Sequence, residues 1–174
     1  MSDIELIAGL ALTDLALRAL PNAAEDDWRD LARAVRRRNI RYGCESCDTL
    51  TALDVSNNPS LGGGTVAWAE LLSAVAASSV THVDVTRCGM GSEGGKSLVG
   101  VLPSSSIKSL KIGRSFEIST EKYEETAVDC SKQDFGPGEV IVLSWWLSTE
   151  ATAGMAVVDI SENLISGSKY VRGY

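Results

Sequence analysis

The chain has 174 residues, 44% of them apolar and 22% charged, a balance that excludes a disordered or fibrous protein and fits one folded domain. Its net charge of −7 argues against nucleic acid and anionic membrane, which are gripped mainly by excess Lys and Arg, and favours a protein partner of basic or mixed charge. No run approaches the roughly 20 apolar residues that span a bilayer, Met1-Ser2-Asp3-Ile4-Glu5 lacks a basic secretory start, and four scattered cysteines make no disulfide framework, so a cytoplasmic location is expected.

Along residues 1–49 the spacing of Leu12, Leu15 and Leu17 reads as a short strand. The alternative is a helix through residues 3–20, ended by Pro21. Trp28, Leu31, Ala32 and Val35 then form one helical face behind Asp26-Asp27, acids well placed to cap its start. The basic run Arg33 to Arg41 falls at that helix's end, where its dipole favours cations, and reads as a solvated terminus. Residues 39–48, with Cys44 and Cys47, are expected to be an inserted loop, so that this part is one divergent repeat or a cap.

From residue 50 onward one tetrapeptide returns: Leu53-Asp54-Val55-Ser56, Val83-Asp84-Val85-Thr86, Val128-Asp129-Cys130-Ser131 and Val158-Asp159-Ile160-Ser161, with a weaker Leu110-Lys111-Ile112-Gly113 between them. Its frame is apolar, two variable, apolar, one variable, apolar, two variable and one special position. Leu50, Leu53, Val55 and Asn58 fill the first copy, and the later special positions are Cys88, Ser115, Gln133 and Asn163. The period-two part predicts a strand with one buried face. At the special position a buried amide satisfies backbone groups of the next repeat, and a cysteine fills the same space as a small hydrophobe with a weak donor.

Glycines follow four of the special positions: Gly62-Gly63-Gly64, Gly91 and Gly94, Gly136-Pro137-Gly138, and Gly167. They mark strand-to-helix links, and helical faces follow at Val66, Trp68, Leu71, Leu72 and Val75, at Leu98, Val101 and Leu102, and at Val140, Leu143 and Leu147. From Lys111 to Asp129 there is no room for a helix, so residues 114–125 are expected to link two strands in extended or looped form, leaving a gap in the helical layer. After Gly167 too little remains for a full terminal cap. Tyr170, Val171 and Tyr174 would make a meagre one, or that edge meets another subunit, or the chain is a piece of something longer.

This frame, followed by a glycine-led helix, resembles the leucine-rich repeats of the ribonuclease-inhibitor type, and the alternation of Asn58 with Cys88 is similar to that subfamily in particular. The resemblance covers residues 50–107 well and 126–167 fairly. It implies an α/β solenoid, with short parallel strands on a concave face and helices on the convex one, and it implies protein binding without catalysis. Glycine-led repeats of this kind also resemble those in activators of Ran-family GTPases, so a regulator of a small GTPase is the alternative.

In such a coil the residues between core positions point onto the concave surface, giving the column Asp54, Asp84, Lys111, Asp129 and Asp159, with His82 beside it. Stacked carboxylates about 5 Å apart suit a basic partner. The competing explanation is that each Asp bonds a nearby Ser or backbone N–H and stabilises its own turn. No motif offers a reaction: aligned acids on an open sheet share one environment, whereas acid–base catalysis needs two that differ. Cys44-x-x-Cys47 lacks the further ligands of a zinc site, and Gly89-x-Gly91-x-x-Gly94 repeats the strand-to-helix link, so no metal and no cofactor are assigned. Of the adjacent Trp145 and Trp146, one is expected in the core, and packing over the missing helix is as good a reading as an interface anchor.

Overall fold

The structure, a computed structural model, describes residues 13–20, 22–39, 50–163 and 165. Along them run β1 (Asp14–Ala16), α1 (Glu25–Asn39), β2 (Ala52–Asp54), α2 (Val66–Ala76), β3 (His82–Asp84), α3 (Ser92–Val101), β4 (Ser109–Ile112), β5 (Phe116–Ser119), β6 (Ala127–Asp129), α4 (Pro137–Leu147) and β7 (Val157–Asp159). Single 3-10 turns lie at Leu102–Ser104 and Glu150–Thr152. The protein is thus a mixed α/β chain of parallel strands and helices.

Strands β1 to β4 pair side by side and parallel, with Leu15, Leu53, Val83 and Leu110 in register. Those four side chains stand between 0 and 6% exposed and form the floor of the core. Of the two N-terminal readings, the strand is the one found. Leu12, Cys44, Cys47, Gly167, Tyr170, Val171 and Tyr174 lie outside the described residues.

The expected single series of rungs is broken in two. Strand β5 turns back and pairs antiparallel with β4, while β6 and β7 form a separate parallel pair in which Val128 faces Val158. Residues 114–125 are extended and carry no helix, as their length requires. They do not simply bridge β4 to β6, however, because Gly113, at φ 62, starts a three-residue hairpin loop that returns Phe116 and Ile118 to β4.

Repeated chemistry ends the strands. In Asp54, Asp84, Asp129 and Asp159 one carboxylate oxygen accepts the backbone N–H two residues on, at Ser56, Thr86, Ser131 and Ser161, over 2.8 to 3.0 Å. Each following residue, Asn57, Arg87, Lys132 and Glu162, adopts positive φ between 55 and 59°. Left-handed backbone costs an L-residue about 1 kcal/mol, and the aspartate bond holds the turn closed against it.

Helix ends follow the sequence signals. Asp27 accepts the N–H of Ala24 at 2.8 Å, Thr65 caps α2 by accepting from Trp68 N, and Pro137 opens α4, with Glu139 accepting the Gly136 N–H at 3.0 Å. Val66 is not part of the buried face of α2. It is the first helical residue, 58% exposed, and the face consists of Ala67, Trp68, Leu71, Leu72, Ala74 and Val75. In α4 the fully packed residues are Val142, Leu143 and Trp146, with Val140 and Leu147 only half-buried.

The helical layer closes over its missing member. Helix α3 packs directly on α4, although β4 and β5 intervene in the sheet. Glycines permit that approach: a Cβ on Gly95 would stand 2.5 Å from the Gly138 carbonyl oxygen, and one on Gly138 would stand 2.4 Å from that of Met90. Below this contact Phe116, Phe135, Tyr123 and Trp146 meet edge to face, with ring centroids 5.5 to 6.0 Å apart.

At the last strand the packing opens. Val55, Val85, Ile112 and Cys130 are at most 1% exposed, but Ile160 at the same place in the frame is 41% exposed, and Val157 reaches 59%.

Candidate binding face

The face of the five-stranded sheet turned away from the helices carries two rows of side chains. One runs Asp14, Ala52, His82, Ser109, Ser119, and the other Ala16, Asp54, Asp84, Lys111, Glu117. Alternation along each strand places these residues outward while Leu15, Leu53, Val83, Leu110 and Ile118 point into the core. A shallow hollow of about 300 Å³ lies over this face, lined by Asp14, Ala16, Arg18, Ala52, Asp54, His82, Asp84, Lys111 and Glu117 among others.

Of the anticipated column, Asp54, Asp84 and Lys111 are register neighbours. Asp129 and Asp159 face each other in the second sheet and do not continue the row. Glu117 occupies the place opposite Lys111 instead, because the hairpin strand takes the edge of β4. The row therefore carries one cation, Lys111, between Asp84 and Glu117, with two adjacent acids, Asp54 and Asp84, on its other side.

Arg18 changes the charge further. Its guanidinium pairs with the Asp54 carboxylate, whose other oxygen accepts the Ser56 N–H. Burial pushes the Asp54 carboxyl up, but Arg18 and the N–H and hydroxyl of Ser56 outweigh that effect and hold it below the usual carboxylate range. In β1, Ala16 stands where β2 and β3 carry aspartate, and Arg18 pairs with the acid of the neighbouring strand. Asp84 Oδ1 accepts both the N–H and the hydroxyl of Thr86, at 3.0 and 2.8 Å. The carboxyl of Asp129 is held low by the hydroxyl and N–H of Ser131. His82 is exposed, with Nδ1 2.8 Å from the Thr81 hydroxyl.

Of the side chains at the special positions, Asn58, Cys88, Gln133 and Asn163 bond backward to the repeat before, while the Ser115 hydroxyl bonds forward to Gln133. Asn58 Nδ2 donates to Leu17 O at 2.8 Å and to Val55 O at 2.7 Å, and its Oδ1 accepts from Leu20 N. Asn163 donates to Cys130 O and accepts from Gln133 N and Phe135 N. Cys88 Sγ donates to Val55 O at 3.1 Å, while Gln133 Oε1 accepts from the N–H and hydroxyl of Ser115. Burial pushes the Cys88 thiol up to about 12 and that of Cys130 to about 11.

In the Gly89-x-Gly91-x-x-Gly94 stretch, Gly89 takes φ 64 against Pro59 O and a Cβ on Gly94 would stand 1.9 Å from Gly62 O, so these two glycines serve the packing on the preceding repeat, while a Cβ on Gly91 would meet nothing within 4 Å. Among the described residues no group of three or more His, Cys, Asp or Glu is placed to hold a metal ion. Nor is any helix among them long and apolar enough to cross a membrane.

Sequence reasoning did not single out Asp14, Arg18 or Glu117. Arg18 meets Asp54 across 36 positions of sequence, beyond the reach of any local pattern. Glu117 was recoverable from the alternation of Phe116 and Ile118 behind Gly113.

No curated relative matches the chain. A family model described as leucine rich repeat matches residues 76–99, which hold the end of α2, all of β3 and most of α3.

Proposed function

We propose that this chain is a leucine-rich repeat solenoid of the ribonuclease-inhibitor type that binds a protein through the exposed face of its five-stranded sheet, without catalysis. One observation carries the reading: five adjacent strands present Asp14, His82, Asp54, Asp84, Lys111 and Glu117 on one open surface, held by a backbone that the core fixes from behind. The repeat match over residues 76–99 supports it, because such repeats are typically interaction modules. A face that carries both signs suits a partner of mixed charge, and its charges contribute more to selection than to raw affinity.

The test is affinity capture with quantitative mass spectrometry, comparing the wild-type chain with Asp84→Lys/Lys111→Glu. Lys111 is exposed, and Asp84→Lys gives up the turn bonds from Thr86 while leaving the core untouched; circular dichroism checks that the variant folds. Partners recovered by the wild type and lost from the variant are the expected result. An unchanged set of partners rejects this face as the binding surface.

A further inference from the structure

We infer that β7 is a self-pairing edge, along which two copies of this chain join antiparallel about a two-fold axis at Val158. The bonds of β7 show which of its backbone groups are spare. Ala156 N and Val157 N donate to Thr126 O, while Asp159 O and Ser161 O accept from Cys130 N and Lys132 N, so Val157, Asp159 and Ser161 turn toward β6. Alternation sends the N–H and C=O of Val158, the C=O of Ala156 and the N–H of Ile160 to the other side, where no strand lies among the described residues. At the same places in β3, Thr81 O accepts from Ser109 N and Val85 N donates to Lys111 O, so these are groups that a neighbouring strand takes up. Edge strands are commonly guarded by a lysine or a proline, and Ala156-Val157-Val158-Asp159-Ile160 has neither.

The edge fits itself. Reversal about Val158 sets its N–H against the C=O of the second Val158 and the N–H of Ile160 against the C=O of the second Ala156, in both directions, so every spare group is met. Side chains obey the same operation. On the core side the exposed Ile160 comes to lie opposite the small Ala156 of the other copy, with Val158 against Val158 between them, a row apolar throughout. On the outer side the exposed Val157 comes to lie opposite Asp159, and the two Asp159 carboxylates fall on a diagonal about 8 Å long. Pairing of β7 with β1 of the next copy would instead leave a free edge at every step and grow without closing. The two-fold axis stands perpendicular to the joined strands, so both copies turn the outer faces of β6 and β7 to the same side.

Sedimentation velocity of the full chain from about 5 to 500 µM tests this. So short an edge covers little beside the roughly 800 Å² per partner of a stable interface, and the expected result is a monomer that becomes a dimer with a Kd on the order of 100 µM. Ile160→Lys, which puts a cation from each copy into the apolar row, should leave a monomer throughout. Val157→Lys places an ammonium opposite Asp159 of the other copy, twice per dimer, and should tighten the pair about fivefold, a gain that a damaged fold does not give. A wild-type chain monomeric at every concentration overturns the inference, as do assemblies larger than two, a dimer that survives Ile160→Lys, and a Val157→Lys dimer no tighter than wild type. None of these outcomes bears on the face of the five-stranded sheet, whose binding is tested separately.

Discussion

The indole N–H of Trp146 donates to the backbone carbonyl of Ser119 at 2.7 Å, joining the last helix to the outer edge of β5. In the antiparallel register of β4 and β5, Thr120 N bonds Lys108 O, so the backbone groups of Glu117 and Ser119 point away from β4. Trp146 therefore takes a place that another strand would need, and β6 is left to pair with β7 alone. Replacing Trp146 by Phe should lower stability by about 1–2 kcal/mol through that hydrogen bond, and replacing it by Ala by about 3–5 kcal/mol as the ring cluster empties. Urea unfolding of the two variants measures the difference, and equal losses would assign the whole effect to the hydrogen bond and none to the ring cluster.

Asn58 and Cys88 hold the same frame position but different amounts of structure. Asn58→Ala strands Leu20 N and Leu17 O, leaves Val55 O with the Cys88 thiol alone, and should cost about 2–4 kcal/mol. Cys88→Ala removes one weak donor to Val55 O and should cost about 1 kcal/mol. Denaturant midpoints of the two variants rank them, and a Cys88 variant as damaged as the Asn58 one would contradict the hydrogen-bond account.

Two carboxyls give opposite pH dependences. Asp54 has its pKa lowered from 3.8, so its contribution is present above that pH and is lost as pH falls through the lower folded value. In Asp54→Asn the deficit relative to wild type should accordingly be full at pH 7 and shrink toward pH 3. Glu139 has its pKa raised from 4.5, chiefly by burial, which its own N–H and that of Gly136 only partly offset. Its ionised form thus burdens the fold increasingly as pH rises through that window, and Glu139→Gln, which keeps the acceptor for Gly136 N, should gain on wild type at pH 7 but not at pH 4. Thermal melts of the three proteins from pH 3 to 7 check both signs.

Buried thiols at about 12 and about 11 should be inert. Cys88 and Cys130 are expected to resist iodoacetamide at pH 8 in the native protein and to react fully in urea, as read by peptide mass spectrometry. Native labelling of Cys88 would mean that the β3 end of the core opens far more readily than its packing implies.

The parallel strands were legible because Leu53, Val83, Val128 and Val158 recur with a period-two pattern that only a half-buried strand explains. The glycine links were legible for the same reason of recurrence. Strand β5 was missed because residues 114–125 were read by what their length forbids, a helix, and Phe116-x-Ile118 is too short a signal to outweigh a polar neighbourhood. The charge of the face was misread where it depends on long-range partners: Arg18 on Asp54, Glu117 beside Lys111, and the transfer of Asp129 and Asp159 to another sheet. Composition along a strand fixes which way a residue points, while its neighbour across the sheet depends on the register of every strand between.

The direct seat of α3 on α4 has a mechanical corollary. Helices packed together are spaced about 8–10 Å apart, whereas β3 to β6 laid flat through β4 and β5 would span about 14 Å. On the strand side the path is thus the longer one at this point, the reverse of what bends a repeat protein toward its strands. Because β5 and β6 are not paired, the two sheets are joined by side chains, the ring stack of Phe116, Phe135, Tyr123 and Trp146 and the Ser115–Gln133 and Arg114–Asp134 bonds, together with the seat of α3 on α4, so a change of ring size would strain that junction before it reached either ladder.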